Sequence, residues 1–265
     1  MYATNYAKAT SLEDAVAKLK SSEDGKFLGG GQTLLATMKQ RLAAPTDIID
    51  VTKIPELQGI SVEGGKVVIG AATTHSQVAA SKEIASAIPA LAELAGTIGD
   101  PAVRNMGTMG GVLANNDPAA DYPAAALALD ATIMTTRGEH AAADYFTGIF
   151  ETALEEDEII TKIAYTIPKK AAYEKFRNPA SRYSLCSVFV ALLDDGPRVT
   201  VTGSGNDGVF RVTEMEEALK ANWSPDAVRS IAIDPATMLA DIHGSAEYRA
   251  HLVPVLAARA VAKAG

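Results

Sequence analysis

The residues best suited to hold a ligand lie in the run RNMGTMGGVLANNDPAAD at positions 104–121. Gly107, Gly110 and Gly111 leave backbone amides uncovered, Thr108 adds a hydroxyl, and the tail carries Asn115, Asn116, Asp117 and Asp121. The run is poor in helix and strand formers, so it reads as a binding loop. A second run of the same character, LGGGQTLL at 28–35, stands one segment upstream. Bare glycine amides approach an anion closely. Here a strand also enters the turn and a helix leaves it from Gln32, which adds the helix dipole. Taken alone, Gly29-Gly30-Gly31 is equally explained as a tight turn, and no Gly-Lys-Ser/Thr follows, so it is not a Walker loop. Two amide-rich loops in neighbouring segments suit the two phosphates of one dinucleotide, gripped from opposite sides. Thr33, Thr73, Thr74 and Thr108 supply hydroxyls at or near these turns, although each also suits a helix cap.

Other candidates carry two readings each. Asn-Asp-Pro at 116–118 is ordinary turn chemistry, and Asp121 fits the cap of a helix starting at Pro123 as well as it fits a ribose or ribityl hydroxyl. Lys169, Lys170, Lys175, Arg177 and Arg182 form a basic stretch in an otherwise acidic chain, either a solvated edge or a face for a phosphate or an acidic partner. Tyr183 beside it is either core or a cover for a flat ring. The run GSGNDG at 203–208 matches the dinucleotide fingerprint in letters only. A strand, Val209 to Val212, follows it where the fingerprint requires a helix.

Several chemistries are excluded. A net charge of −8 does not suit a nucleic-acid backbone. One cysteine, Cys186, allows neither an internal disulfide nor a cysteine-ligated cluster or zinc. It sits in an apolar run as a buried, inert thiol. His75, His140, His243 and His251 lack metal-ligand spacing and read as surface or packing residues. No nucleophile elbow or other catalytic constellation is present. Nothing approaches the ~20 apolar residues of a membrane span, and the N-terminus has no signal core, so the expected location is cytoplasmic.

The elements that must position these residues follow from periodicity. Ser11 to Lys20 is a capped amphipathic helix with Leu12, Ala15, Val16 and Leu19 on one face. Lys26 to Leu28 is a strand, Leu34, Leu35, Met38 and Leu42 share a helical face, and Ile48 to Val51 is a short buried strand. Lys66 to Gly70 is a strand after the turn Glu63-Gly64-Gly65. Ile84, Ile88, Leu91, Leu94 and Ile98 mark one amphipathic helix leading into the main glycine loop. A helix at 123–129 and strands at 131–136 and 159–167 come next, with a boundary near Lys169 and Lys170. Beyond it, 185–193 and 199–202 form a hairpin, Thr213 with Glu216 caps a helix, Ser224-Pro225 starts another, and Ser245 to Ala264 is a long one. This is an α+β plan, with a C-terminal meander and helices on one face.

The segments GGGQTLLATMKQRLAAPTDIIDVTKIPELQGI, GAATTH, TIGDPAVRNMGTMGGVLANNDPAADYPAA and YEKFRNPASRYSLCSV together resemble the FAD-carrying medium subunit of the molybdenum hydroxylases, the group of xanthine dehydrogenase and carbon monoxide dehydrogenase. The similarity spans essentially the whole chain. It implies an FAD-binding domain over 1–170 of the PCMH type, vanillyl-alcohol-oxidase-like, with subdomains of about 1–53 and 54–170. A flavoprotein C-terminal domain of small antiparallel sheet and helices is implied over 171–265. It implies that the pyrophosphate lies between the turns Leu28, Gly29, Gly30, Gly31, Gln32, Thr33, Leu34, Leu35 and Thr108, Met109, Gly110, Gly111, Val112. Thr73, Thr74, Asn115 and Asp117 border that site. It further implies FAD contacts from Asp121, Lys175 and the backbone near Ile98 and Ile160, with Tyr183 covering the isoalloxazine. Family members often carry His or Asn where Gln32 stands, and some hold an iron-sulfur insertion that a lone cysteine forbids here.

The function so implied is electron transfer by non-covalent FAD. Electrons arrive from [2Fe-2S] clusters in a small partner subunit and leave to an external acceptor. Hydroxylation takes place on molybdopterin in a large subunit, within a dimer of heterotrimers. A free-standing FAD oxidase or reductase of the same fold is the alternative, and a flavin-free phosphate-binding assembly module is a third. The substrate (carbon monoxide, an aldehyde or an N-heterocycle) is not legible, nor is the acceptor.

Overall fold

The computed structural model describes all 265 residues, Met1–Gly265. The first sheet is parallel, with β1 (Asn5–Lys8), β2 (Gly25–Leu28) and β3 (Asp47–Asp50) in the order β1-β3-β2. Helix α1 (Leu12–Lys20) joins β1 to β2, and its N-cap Ser11 accepts from the Asp14 amide as the capping pattern predicts. Helix α2 (Leu34–Lys39) joins β2 to β3 and begins at Leu34, two residues later than the sequence suggests. The chain leaves it at Arg41, where φ is 62°, so Leu42 falls outside the helix and is exposed.

The second sheet is antiparallel in the order β4-β5-β10-β6-β7, from β4 (Ile60–Glu63), β5 (Lys66–Gly70), β6 (Thr132–Thr135), β7 (Glu139–Ala141) and β10 (Ile160–Thr166). Between β5 and β6 run six helices: α3 (His75–Ala80), α4 (Lys82–Ala87), α5 (Pro89–Gly96), α6 (Pro101–Met106), α7 (Met109–Asn115) and α8 (Tyr122–Ala128). A short helix, α9 (Ala142–Tyr145), and a small hairpin, β8 (Phe146–Gly148) with β9 (Glu151–Thr152), complete this part.

Two expectations are corrected here. The amphipathic stretch from Ile84 to Ile98 is two helices, because Pro89 brings no amide to continue α4, and Ile88 breaks the run at φ −140°. The glycine run 104–121 is not a loop but mostly helix. Asp100 caps α6 through the Val103 amide, and Thr108 caps α7 through the Gly111 amide. Tertiary contacts override the poor helix propensity of Gly110 and Gly111. The Met109 amide donates to the Thr73 carbonyl at 3.0 Å and the Gly110 amide to the Ala71 carbonyl at 2.8 Å, fixing the first turn of α7 on the β5–α3 connection. Asn116, left-handed at φ 43°, ends α7, and its amide group donates to the Gly148 and Glu151 carbonyls.

The third sheet is the antiparallel meander β11 (Lys170–Arg177), β12 (Ser184–Leu192), β13 (Pro197–Gly205) and β14 (Gly208–Arg211). The basic stretch therefore contains a strand, and the GSGNDG run is its last hairpin, as its letters and context predict. Helices α10 (Thr213–Ala221), α11 (Pro225–Arg229) and α12 (Ala246–Ala264) follow. They cover only one face of the sheet. Cys186, Val188 and Val190 of β12 face α12, while Phe189 and Ala191 join the large core beneath α5 and α8. The C-terminal helices thus lie on one face as expected, and the first part of the chain buries the other, which explains why β12 is apolar at nearly every position. Helix α10 starts after Val212, not with a Thr213 cap. The Glu216 carboxylate instead accepts from the Val199 amide at 3.0 Å and pairs with Arg211.

Candidate functional site

Two cavities meet along the cleft between α2, α3 and α7. One, of 390 Å3, is lined by Leu28, Gly29, Gly30, Gly31, Gln32, Thr33 and Leu34 on one side. Thr108, Gly110, Gly111, Val112 and Asn115 line the other side, with Ile160 at the floor. The second, of 410 Å3, holds Ile98, Asp117, Asp121, Lys175 and Tyr183, and shares Gln32, Thr33, Val112 and Asn115 with the first. Both volumes fall within the ~300–1,000 Å3 of small-molecule sites.

Residues predicted from two distant runs are brought together, but their roles divide. The amides of Gly29, Gly30, Gly31, Gln32 and Thr33 have no acceptor within the chain, so this turn presents a file of free donors. In the other run, Met109 and Gly110 donate to backbone carbonyls, Val112 to Thr108, and Gly111 to the Thr108 hydroxyl at 3.2 Å. Only the Thr108 amide of this second turn has no acceptor within the chain, so free donors stand on both sides of the cleft but unequally. What Gly111 contributes is space: a Cβ there would lie 2.9 Å from Thr108 Oγ1 and 4.0 Å from the Gly30 nitrogen, inside the cleft between the two turns. Gly30 and Gly110 are glycine for packing instead. A Cβ at Gly30 would stand 2.0 Å from the Met106 carbonyl oxygen, and one at Gly110 would stand 2.6 Å from Ala71 Cβ.

Four candidates lie outside both linings. Thr73 is buried and its hydroxyl donates to Gly59, while Thr74 caps α3 in a reciprocal box with Gln77. Met109 is buried with its sulfur 3.4 Å from the Tyr165 hydroxyl, which donates to it. Leu35 packs beneath Gly31, which needs its positive φ of 72° to turn the chain over it. These residues build the walls and do not face the cleft.

Asp121 does not cap α8. Its side chain makes no cap bond and instead receives the Tyr173 hydroxyl and pairs with Lys175 Nζ at 2.8 Å, both carboxylate and ammonium buried. Sheet hydrogen bonds place it there. The Thr200 and Thr202 hydroxyls donate to the Ala124 and Ala120 carbonyls, at 2.8 and 2.7 Å, and so fasten the start of α8 onto β13. Lys175 points inward from β11, whereas Lys169 pairs with Asp194 at the surface and Lys170 binds the Gly265 carbonyl and lies over the Trp223 ring. The basic stretch is not one cationic face. Tyr183 stands at the rim of the second cavity, 55% exposed, and desolvation, then the charges of Asp117 and Asp121, push its phenol above 10.

The residue that sequence reasoning missed is His75. It is buried, as the packing reading of the histidines allows, but it also borders both cavities, which that reading did not foresee. Burial, then the Arg104 charge, lowers its pKa from 6.5 to about 4, so its ring is neutral at physiological pH. The available signal was the position of His75 directly after the cap Thr74, at the start of α3. Cys186 is buried as expected, and burial pushes its thiol up to about 11.

A cleft with a file of free amides at one turn, glycine-made space at the other and an exposed tyrosine at the rim of the adjoining cavity fits a dinucleotide-binding protein of the flavin type. The family model described as the FAD binding domain in molybdopterin dehydrogenase matches residues 2–170. The chain belongs to this family, the FAD-binding medium subunits of the molybdenum hydroxylases, and is an oxidoreductase component with FAD as its cofactor. It is 36% identical to the carbon monoxide dehydrogenase medium chain of Afipia carboxidovorans, with 98% of this chain and 96% of the relative aligned. It is 34% identical to the nicotine 6-hydroxylase medium subunit of Paenarthrobacter nicotinovorans, over 99% and 98%. Among solved structures, reconstituted CO dehydrogenase from Oligotropha carboxidovorans superposes with a TM-score of 0.89 at 33% identity, covering 100% of this chain and 99% of that one. No helix is long and apolar enough to cross a membrane.

Proposed function

We propose that the chain is the electron-transfer subunit of a heterotrimeric molybdenum hydroxylase, placed between the [2Fe-2S] clusters of a small partner subunit and an external acceptor. Substrate hydroxylation belongs to the molybdopterin of a large partner subunit, and the trimers pair as a dimer. When bound, FAD supplies the exchange between one-electron and two-electron carriers. The observation that carries the reading is the file of unpartnered amides from Gly29 to Thr33, with the Gly30 nitrogen beside the space left by Gly111. Such donors suit a pyrophosphate because they are fixed before it arrives.

The rest of the binding roles follow from placement. Gln32, Thr33, Val112 and Asn115 belong to both cavities and would border the cofactor where it passes between them. Ile160 and Leu28 give the first cavity an apolar floor suited to adenine, and Ile98, Asp117 and Tyr183 border the second, suited to the isoalloxazine. Lys175 is neutralised by Asp121, so the second cavity carries no uncompensated charge from that pair. The cofactor is read as non-covalent: Cys186 lies between β12 and α12 and lines neither cavity, and His75, which borders both, follows directly on the Thr74 cap of α3 and is not in a covalent-anchor context. The domain reading of 1–170, in parts 1–53 and 54–170, with 171–265, is supported by the distribution of the sheets, each of which falls within one of those ranges except that β11 begins at Lys170.

Purification from the native host tests the assembly. Two further chains, molybdenum and iron are expected to travel with this one. A chain that purifies alone and oxidises an organic substrate catalytically would make it a free-standing flavoenzyme instead.

A further inference from the structure

His75 stands where the two cavities join, and nothing in the electron-transfer reading uses it. Its Nδ1 lies 3.3 Å from the hydroxyl of Tyr122, a residue fully enclosed at the start of α8. That hydroxyl has no other hydrogen-bond partner in the protein. A buried O–H without an acceptor is costly, and burial keeps the phenol protonated. The Tyr122 hydroxyl therefore donates to Nδ1, which makes Nδ1 an acceptor. In a neutral imidazole with an accepting Nδ1, the proton sits on Nε2. No protein group takes that Nε2 proton. Beside Nε2 is Gly107, where a Cβ would stand only 2.5 Å away. The bare Cα of Gly107 is what leaves the nitrogen uncovered toward the cleft. The backbone fixes the ring from its other end, the His75 amide donating to the Gly107 carbonyl at 3.0 Å.

We propose that His75 is a neutral hydrogen-bond donor to the polar linker of the cofactor, the phosphate and ribityl stretch. In this arrangement Tyr122 sets its tautomer and Gly107 keeps its Nε2 open to the cavity junction. The inference rests on the FAD site described above and adds a side-chain donor to its backbone donors. A neutral donor differs in kind from a lysine or arginine there. It orients an oxygen without adding a positive charge to the cleft, and a ring already held at Nδ1 loses little freedom on binding.

The test uses the full chain stripped of flavin and titrated with FAD, followed by flavin fluorescence. His75→Leu is expected to weaken FAD binding about tenfold, the value of one well-placed hydrogen bond. His75→Gln, which retains an N–H donor, should recover part of that loss. Gly107→Ala, which leaves both His75 and Tyr122 in place, should weaken binding by pushing the imidazole aside. Parallel titrations with ADP and with riboflavin show which part of the linker is contacted. A loss for ADP marks the phosphates and a loss for riboflavin marks the ribityl chain, and either supports the proposal. Histidine 15N spectra at neutral pH give a readout independent of binding. His75 is expected as the Nε2–H tautomer, and Tyr122→Phe should disturb that resonance. Unchanged FAD affinity in both His75→Leu and Gly107→Ala, or an Nδ1–H tautomer, would overturn it. A wild-type chain that binds no FAD at all would remove the site reading itself.

Discussion

Each glycine of the two runs has its own reason to be glycine, and the reasons are separable by substitution. Gly111 is exposed and borders the cleft, and it lies near the N-terminus of α7, where a carboxylate is tolerated by the helix dipole. Gly111→Asp should therefore keep the fold, with a melting temperature near that of the wild type, and lose FAD, because a negative charge would stand beside the free amide of Gly30. Gly110→Asp should lose the fold itself, since its Cβ has no room against Ala71. Flavin absorbance and thermal melts on the two variants check the pair. Equal retention of FAD would show that the cleft holds no phosphate. His75 supplies a second residue-scale outcome. Its folded pKa of about 4 lies below the 6.5 of the unfolded chain, so the unfolded state takes up the proton first. The stabilisation is complete above pH 6.5 and is lost as pH falls toward 4, amounting to about 3 kcal/mol. Denaturant unfolding of wild type against His75→Gln should show that difference opening over this window, and parallel curves would contradict it.

At the scale of elements, the site depends on how β11 and β13 hold the start of α8. Asp121 leads α8, and Tyr173 and Lys175 come from β11, a strand away in space and 54 residues from Asp121 in the chain for the lysine. Removing one member strands the others. Asp121→Ala leaves a buried ammonium unpaired and a buried phenol without its acceptor, and should cost about 3–5 kcal/mol of folding free energy. The double variant Asp121→Leu with Lys175→Met should recover much of that loss, because no unpaired charge remains. Melts of the single and double variants decide this. A single variant as stable as wild type would mean that water reaches the pair. Tyr183, by contrast, sits exposed on a turn between β11 and β12, so Tyr183→Ala should leave the melting temperature unchanged while altering the fluorescence of bound flavin.

For the whole molecule, the third sheet joins the parts because both of its faces are buried, one under α10 to α12 and the other against α5 and α8. The second cavity is built from residues on both sides of this junction, Ile98 and Asp121 from the first part and Lys175 and Tyr183 from the second. The second cavity, proposed above for the flavin ring, therefore requires the C-terminal part. On the proposed electron-carrier role, the isolated chain should bind FAD and yet oxidise no organic substrate, which steady-state assays on the purified single subunit would show.

What the sequence determined by itself was local. The hairpin of β12 and β13, the long helix α12, the capped α1, the two glycine runs and the resemblance they carry were all legible from periodicity, capping and turn chemistry. Those signals act within a few residues of one another. The tertiary structure decided whatever depends on partners far along the chain. It turned much of the run 104–121 into helix, bonding the Met109 and Gly110 amides to the β5–α3 connection, and so left the free donors at Gly29 through Thr33 and at Thr108. It split the stretch from Ile84 to Ile98 at Pro89, a break the proline already announced. It paired His75 with Tyr122 across 47 residues and Asp121 with Lys175 across 54. Neither residue type carries a mark of its partner, because burial and hydrogen-bond geometry exist only once the sheets have brought the two together.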